Sequence, residues 1–289
     1  MDNTVPFRHS LFCLPYLQGE SYEPQSPAPA NRRTALVIVP SSAGITDVRE
    51  RAYAQFFAAR GLVCLIPDPF SKAGVTQCLS CQAAVPDTEM LYAARAAYAQ
   101  LAARKDVGDI GIMGVSKGGL AALHAAMAFV PSLPPFMGRF AFHLCLAPPA
   151  SIQLRTPRAT GAPVLMLLGS KDDFTEAAPA QAYAQRILAV NPTLRLDCRV
   201  VAGAHHAWES RGAVRYLPDA ERYAHCLFYL ENDGSYTDSH TGRHLLAEDF
   251  WQELSQHATQ GAHVGGGTDA LFAWTCHTLL DFIKEIKAR

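Results

Sequence analysis

Residues 108–129 read GDIGIMGVSKGGLAALHAAMAF. An apolar run, Gly108 to Met113, gives way to a helix-forming run, Gly118 to Phe129, across only a few residues. A short continuous apolar run suits a strand buried on both faces, and the alanine-rich run after it suits a helix. A strand-to-helix turn this tight strains the backbone at Ser116 and lifts its hydroxyl above the carboxyl edge of the sheet. Gly114 and Gly118 leave room for the helix to pass close to the strand. The helix N-terminus favours negative charge developing beside it. A bare G-x-S-x-G arises readily by chance in Gly/Ser turns. With a strand before it and a helix after it, the motif makes Ser116 a candidate nucleophile.

The same rhythm extends outward in both directions. Upstream, Thr34 to Pro40 is an apolar strand run, Asp47 to Arg60 has helical spacing, and Gly61 sits where a helix C-cap belongs. Leu62 to Pro67 is a further strand and Glu89 to Lys105 an alanine-rich helix. Downstream, strands are expected over Phe140 to Leu146, Pro163 to Leu168 and Leu194 to Val201, and helices over Ala177 to Val190 and Asp269 to Lys287. Strand and helix alternate through most of the chain. That alternation predicts an α/β class domain: a doubly wound, mostly parallel sheet with helices on both faces. Residues 1–33, with five prolines from Pro6 to Pro29, read as an N-terminal extension forming a strand or hairpin and a connection. Residues 218–268 depart from the rhythm and read as an insertion before the C-terminal helix, a candidate lid or dimer contact. The whole of 1–289 reads as one domain.

The composition agrees with this reading. With 289 residues, 49% of them hydrophobic, the chain buries a full core. The net charge of −1 implies no basic face for nucleic acid. No apolar run approaches the ~18 residues of a membrane span, and the N-terminus lacks a secretion-signal pattern. A cytoplasmic protein without membrane or nucleic-acid partners, and a candidate homodimer, is expected. The eight cysteines are expected to be reduced thiols, since Cys64, Cys145 and Cys198 lie inside strand-like runs.

A serine hydroxyl needs a base to take its proton, and the base needs an orienting acid. After the run PVLMLL comes Gly169-Ser170-Lys171-Asp172-Asp173-Phe174. After LDCRVV comes Gly203-Ala204-His205-His206-Ala207-Trp208. Both groups therefore fall just past strand ends, on the edge that carries Ser116. Adjacent side chains diverge, so one aspartate and one histidine of each pair faces the serine. Asp173 otherwise reads as a cap of the helix near Ala177. Acyl chemistry also needs two N–H donors for the oxyanion. One is expected from Lys117, directly after the serine. The other is expected from the loop Pro40-Ser41-Ser42-Ala43-Gly44, with Ser42 favoured.

These motifs resemble the dienelactone hydrolase family of the α/β-hydrolase superfamily. VIVPSSAGITDVRERAYAQFFAARGLVCLIPD resembles that family's opening strand, oxyanion loop, Arg-Glu-bearing first helix and strand ending in Pro-Asp. GIMGVSKGG resembles its elbow, LLGSKDDFT its acid loop and GAHHAW its histidine loop. The resemblance covers roughly residues 34–210 and the terminal helix. It implies the α/β-hydrolase fold and Ser116, Asp172 and His206 as a catalytic triad, with the amides of Ser42 and Lys117 as oxyanion donors. It implies hydrolysis of a small acyl substrate, an ester, lactone or thioester, without metal or other cofactor. Founding members carry a cysteine nucleophile and a glutamate where Ser41 stands; the two changes are mutually consistent, since a serine assisted by histidine needs no such glutamate. The elbow also resembles acyl-CoA and bile-acid-CoA thioesterases.

Ser41, Arg49 and Trp208 are further candidate substrate-binding residues, and Lys117 and Arg49 candidate partners of a substrate carboxylate or phosphate. Three other readings compete. Cys78 and Cys81 have zinc or redox spacing, but no second pair accompanies them; they are also placed to line the active-site mouth. His240 and His244 are four apart with Gly242 between them. The fold also hosts non-catalytic binding proteins, and the same acyl-enzyme serves acyltransferases and cyclases.

Overall fold

The computed structural model describes residues 7–14, 17–26, 32–131 and 133–288. Its centre is β3 (Arg33–Val39), in which every residue is buried. Side chains alternate between faces along a strand. Ala35, Val37 and Val39 enter one core layer, while Leu36 and Ile38 enter the other. The continuous apolar run in the sequence is thus the signature of a strand covered on both sides.

The N-terminal extension contributes β1 (Phe7–Leu14) and β2 (Leu17–Pro24), an antiparallel hairpin. After β3 the chain makes α1 (Ala52–Ala58), β4 (Val63–Asp68), α2 (Asp87–Ala102) and β5 (Val107–Val115). There follow α3 (Lys117–His124), β6 (His143–Leu146), the short β7 (Ile152–Leu154), β8 (Val164–Gly169), α4 (Ala177–Val190) and β9 (Leu196–Val201). The main sheet has eight strands in the order β1-β2-β4-β3-β5-β6-β8-β9. From β4 to β9 neighbouring strands are parallel; β2 joins β4 antiparallel. Strand order reverses around β3, so the crevice at the carboxyl ends of β3 and β5 is the topological switch point where open α/β sheets bind ligands.

The rest of the chain forms a cap and the closing helix. The cap elements are β10 (Val214–Arg222), β11 (Phe228–Leu230), β12 (Tyr236–Asp238), β13 (His244–Leu245), α5 (Ala247–Gln256) and β14 (Thr259–Gly265). Strands β10 and β14 pair as an antiparallel ribbon, and β11 to β13 add to β7 in a four-stranded sheet. Then α6 (Asp269–Lys287) packs with α1 on one face of the main sheet, while α2, α3 and α4 cover the other. No described helix is long and apolar enough to cross a membrane.

Two elements differ from the sequence expectation. The helix expected over 47–60 opens as a wider π turn at Asp47–Arg51, with Arg51 N bonded to the Thr46 carbonyl. That turn swings Arg49 and Glu50 inward, where Glu50 accepts from the amides of Ser41 and Thr46. The helix expected over 118–129 stops at His124. Beyond it the Ala126 carbonyl and Ala128 amide bond Thr160 and Arg158, and this pairing replaces further helix.

Candidate active site

Ser116 sits between β5 and α3 with φ 57° and ψ −122°, outside the regions an L side chain occupies without strain. A Cβ on Gly114 would collide with Gly118 backbone, and one on Gly118 with the Val39 and Pro40 carbonyls. Both glycines are therefore required by the close passage of α3 over the strands. The other described non-glycine residues with positive φ are Ala147 and Ala207, beside β6 and His206. Backbone strain is concentrated around this one edge of the sheet, as at functional sites generally.

Past β8 and β9, the imidazole Nδ1 of His206 lies 2.8 Å from Asp172 Oδ2. A carboxylate partner places the proton on Nδ1 and leaves Nε2 as the acceptor. The other carboxylate oxygen, Oδ1, accepts from the amides of Phe174 and Thr175 at 2.9 and 2.8 Å. Thr175 Oγ1 lies 3.0 Å from Asp172 Oδ2, 3.1 Å from His206 Nδ1 and 3.0 Å from the Ala147 carbonyl. Phe174 lies against the His206 ring, centroids 4.6 Å apart. No hydrogen bond joins Ser116 to His206 in this structure, although both are nearly fully buried past strand ends on the same edge of the sheet.

The adjacent pairs divide as diverging side chains must. Asp172 reaches His206, while Asp173 accepts from the His263 amide at 2.9 Å and meets its Nδ1 at 2.7 Å. Asp173 is thus a tie to the cap and not the cap of α4. The amides of Ser42 and Lys117 donate to no acceptor among the described residues, and the first helical bond of α3 runs from Leu120 N to the Ser116 carbonyl. Cys78 N holds the Ser42 carbonyl at 2.7 Å, which orients that loop from outside. Burial pushes the Cys78 thiol up to about 11; the residue supports the loop and does not line the cavity.

Over Ser116 lies a cavity. Its floor is Ser116, Lys117 and Leu120, its wall Phe174 and Thr175, and its roof comes from cap residues, among them Arg222, Cys226 and Trp251. The Lys117 ammonium is buried there, 2.9 Å from Asp87 Oδ1 and 3.1 Å from the Gln82 carbonyl. It is already paired, so it presents a dipole to the cavity more than a bare charge.

The sequence matches the dienelactone hydrolase family over residues 18–228, well over half of the chain. The chain belongs to the dienelactone hydrolase family. Its fold is similar to that of a protein assigned as a dienelactone hydrolase from Klebsiella pneumoniae, at 18% identity and a TM-score of 0.55, with 70% of this chain and 88% of that one covered. Esterase 2 of the planctomycete Thermogutta terrifontis is also similar, at 19% identity and a TM-score of 0.49 over 70% and 84%. No curated protein matches the chain at a significant level.

Three substrate-binding expectations for this family member are corrected by burial. Trp208 is fully buried against α6, and its Nε1 donates to Thr275 Oγ1 at 3.0 Å. Arg49 lies behind the 40–44 loop, its Nε 2.7 Å from Glu50 Oε1 and its guanidinium bonded to Ser41 Oγ. Ser41, 2% exposed, therefore faces this buried network and not the cavity. The network ends at Glu209, which accepts from Tyr53 at 3.0 Å, keeps one unpartnered oxygen, and whose carboxyl burial pushes up. Thr175, His263, Arg222, Trp251 and Glu209 escaped the sequence reading. Thr175 carries no motif of its own, and Arg222 and His263 lie 49 and 90 positions from Asp173, which they touch.

Proposed function

We propose that the chain is a serine hydrolase that cleaves an ester, lactone or thioester through an acyl-enzyme on Ser116. The observation that carries this reading is the strained serine on the floor of a roofed cavity, beside a histidine whose Nδ1 is held by a carboxylate. His206 Nε2 takes the Oγ proton as Oγ attacks the substrate carbonyl. The carbonyl oxygen becomes negative between the amides of Ser42 and Lys117, at the N-terminus of α3. Collapse expels the alcohol or thiol, which takes the proton from the imidazolium. Water then gives a proton to His206 as it attacks the acyl carbon, and collapse breaks the bond to Ser116 Oγ, which regains its proton from the imidazolium as the acid leaves. The Ser116–His206 hydrogen bond forms with substrate bound, as catalytic hydrogen bonds often tighten only then. The roof supplied by the cap makes residues 214–265 a lid that shapes the acyl pocket.

The test is turnover of p-nitrophenyl acetate together with intact mass after a fluorophosphonate probe. Wild type is expected to turn over and to gain one adduct. Ser116→Ala is expected to lose the adduct and to lower kcat by about 10³-fold or more. An adduct that persists in Ser116→Ala would assign the nucleophile elsewhere.

A further inference from the structure

Ser116 caps α3, and Leu120 and His124 follow on the same face one and two turns along it. Leu120 lines the cavity over the serine. His124 lines a second, smaller cavity, which shares Asp87, Ile152 and Trp251 with the first. The rest of its lining is mostly apolar, including Leu91, Val130 and Leu230. Four polar groups break that apolar surface: Asp87, Thr88, His124 and Tyr236. His124 is 5% exposed, its Nε2 is wholly buried, and neither ring nitrogen finds a partner among the described residues. Tyr236 stacks on Phe250 with centroids 3.5 Å apart and also lines this cavity.

Buried polar atoms in folded proteins are nearly always paired, so unpartnered ones at a cavity wall mark where a ligand or water bonds. Burial pushes His124 down to about 4. The ring is therefore neutral at pH 7, with one N–H donor and one acceptor nitrogen. A neutral imidazole and a phenol suit a hydroxyl or amide. A carboxylate is disfavoured, because no free cation faces it: Lys117 at the neck is taken by Asp87. Eight residues of helix separate Ser116 from His124, a rise of about 12 Å. With carbon–carbon bonds of ~1.5 Å, a zigzag chain of about eight to ten carbons covers that distance.

We propose that the second cavity is a subsite for the far end of a medium-chain substrate, where His124 and Tyr236 select a chain ending in a neutral hydrogen-bonding group over a purely aliphatic one. The chain enters past Trp251, which forms the shared wall. The proposal rests on Ser116 as the nucleophile.

The experiment compares kcat/KM for the p-nitrophenyl esters of 8-hydroxyoctanoic and octanoic acid. Wild type is expected to favour the hydroxylated ester about tenfold, the scale of one neutral hydrogen bond. His124→Leu is expected to bring the ratio near one, His124→Gln to restore part of it, and Tyr236→Phe, which keeps the stacked ring, to lower it. The ratio is internal to each protein, so loss of folded material does not distort it. A wild-type ratio at or below one, with p-nitrophenyl acetate still hydrolysed, overturns the subsite and leaves the nucleophile standing. Should acetate not be hydrolysed, Ser116 chemistry fails, and calorimetry of octane-1,8-diol against octan-1-ol decides the subsite alone. Tighter binding of the diol that vanishes in His124→Leu supports it; equal Kd values overturn it.

Discussion

Thr175 shows how much of this site depends on a residue without a motif. Its hydroxyl sits among Asp172, His206 and the Ala147 carbonyl, within 3.1 Å of all three. In the proposed mechanism it acts by holding Asp172 and His206 in one geometry. Thr175→Val keeps the shape and removes the hydroxyl. It is expected to lower kcat by about three- to tenfold, the kinetic equivalent of ~0.5–1.5 kcal/mol for one hydrogen bond, and to shift the pH profile of kcat/KM. An unchanged kcat and profile would reduce Thr175 to packing. Ser116 and the glycines around it were legible because sterics at that turn allow few residues. Thr175 was not, because a hydroxyl three residues after an aspartate marks any number of turns.

Among the elements, the cap ribbon of β10 and β14 meets the loops that carry Asp173 and His206 directly. Gly265 N donates to the His206 carbonyl at 2.8 Å, and Val264 bridges His206 in parallel register. The His263 ring reaches Asp173, and Arg222 bonds the Asp173 carbonyl. The ring pair is roughly half exposed on both sides, so it contributes less than about 1 kcal/mol. His263→Ala is accordingly expected to lower Tm by no more than a few degrees. Hydrogen exchange at the Gly265 amide is expected to stay slow, since the main-chain tie remains. Fast exchange there would show that the side-chain pair, and not the backbone, seats the cap. The parallel strands of the main sheet were readable from apolar runs, while its β1–β2 hairpin was read only as an N-terminal extension. The cap strands were not: β11, β12 and β13 are two or three residues long, too short for periodicity to register.

At the scale of the whole molecule, two buried histidines couple folding to pH. Burial pushes both His124 and His143 down to about 4, and both are fully enclosed. Folded, they stay neutral; unfolded, they take a proton at the ordinary value near 6.5. The unfolded state thus binds more protons between those values, and stability falls as pH drops through that window. Each contributes up to about 1.4 kcal/mol per pH unit across it. Urea midpoints measured from pH 7.5 to 4.5 are expected to fall steeply below 6.5. The slope is expected to flatten in the His124→Leu, His143→Leu double variant. An unaltered slope would assign the loss to other groups.

The amino-acid sequence by itself determined the strand–helix alternation, the elbow at Ser116 and the positions of the acid and histidine loops past their strands. Those features follow from local sterics and from burial on both faces of a sheet, which are written in residue type and spacing. Only the tertiary structure decided which aspartate turns to His206 and which to the cap. It also decided that Arg49, Ser41 and Trp208 face the interior, and that the 214–265 segment roofs the cavity. Those outcomes depend on what long-range packing places opposite each side chain. Arg49 shows the reason: its charge is matched by Glu50 next to it and by Glu209, a carboxylate 160 residues away that only folding brings near.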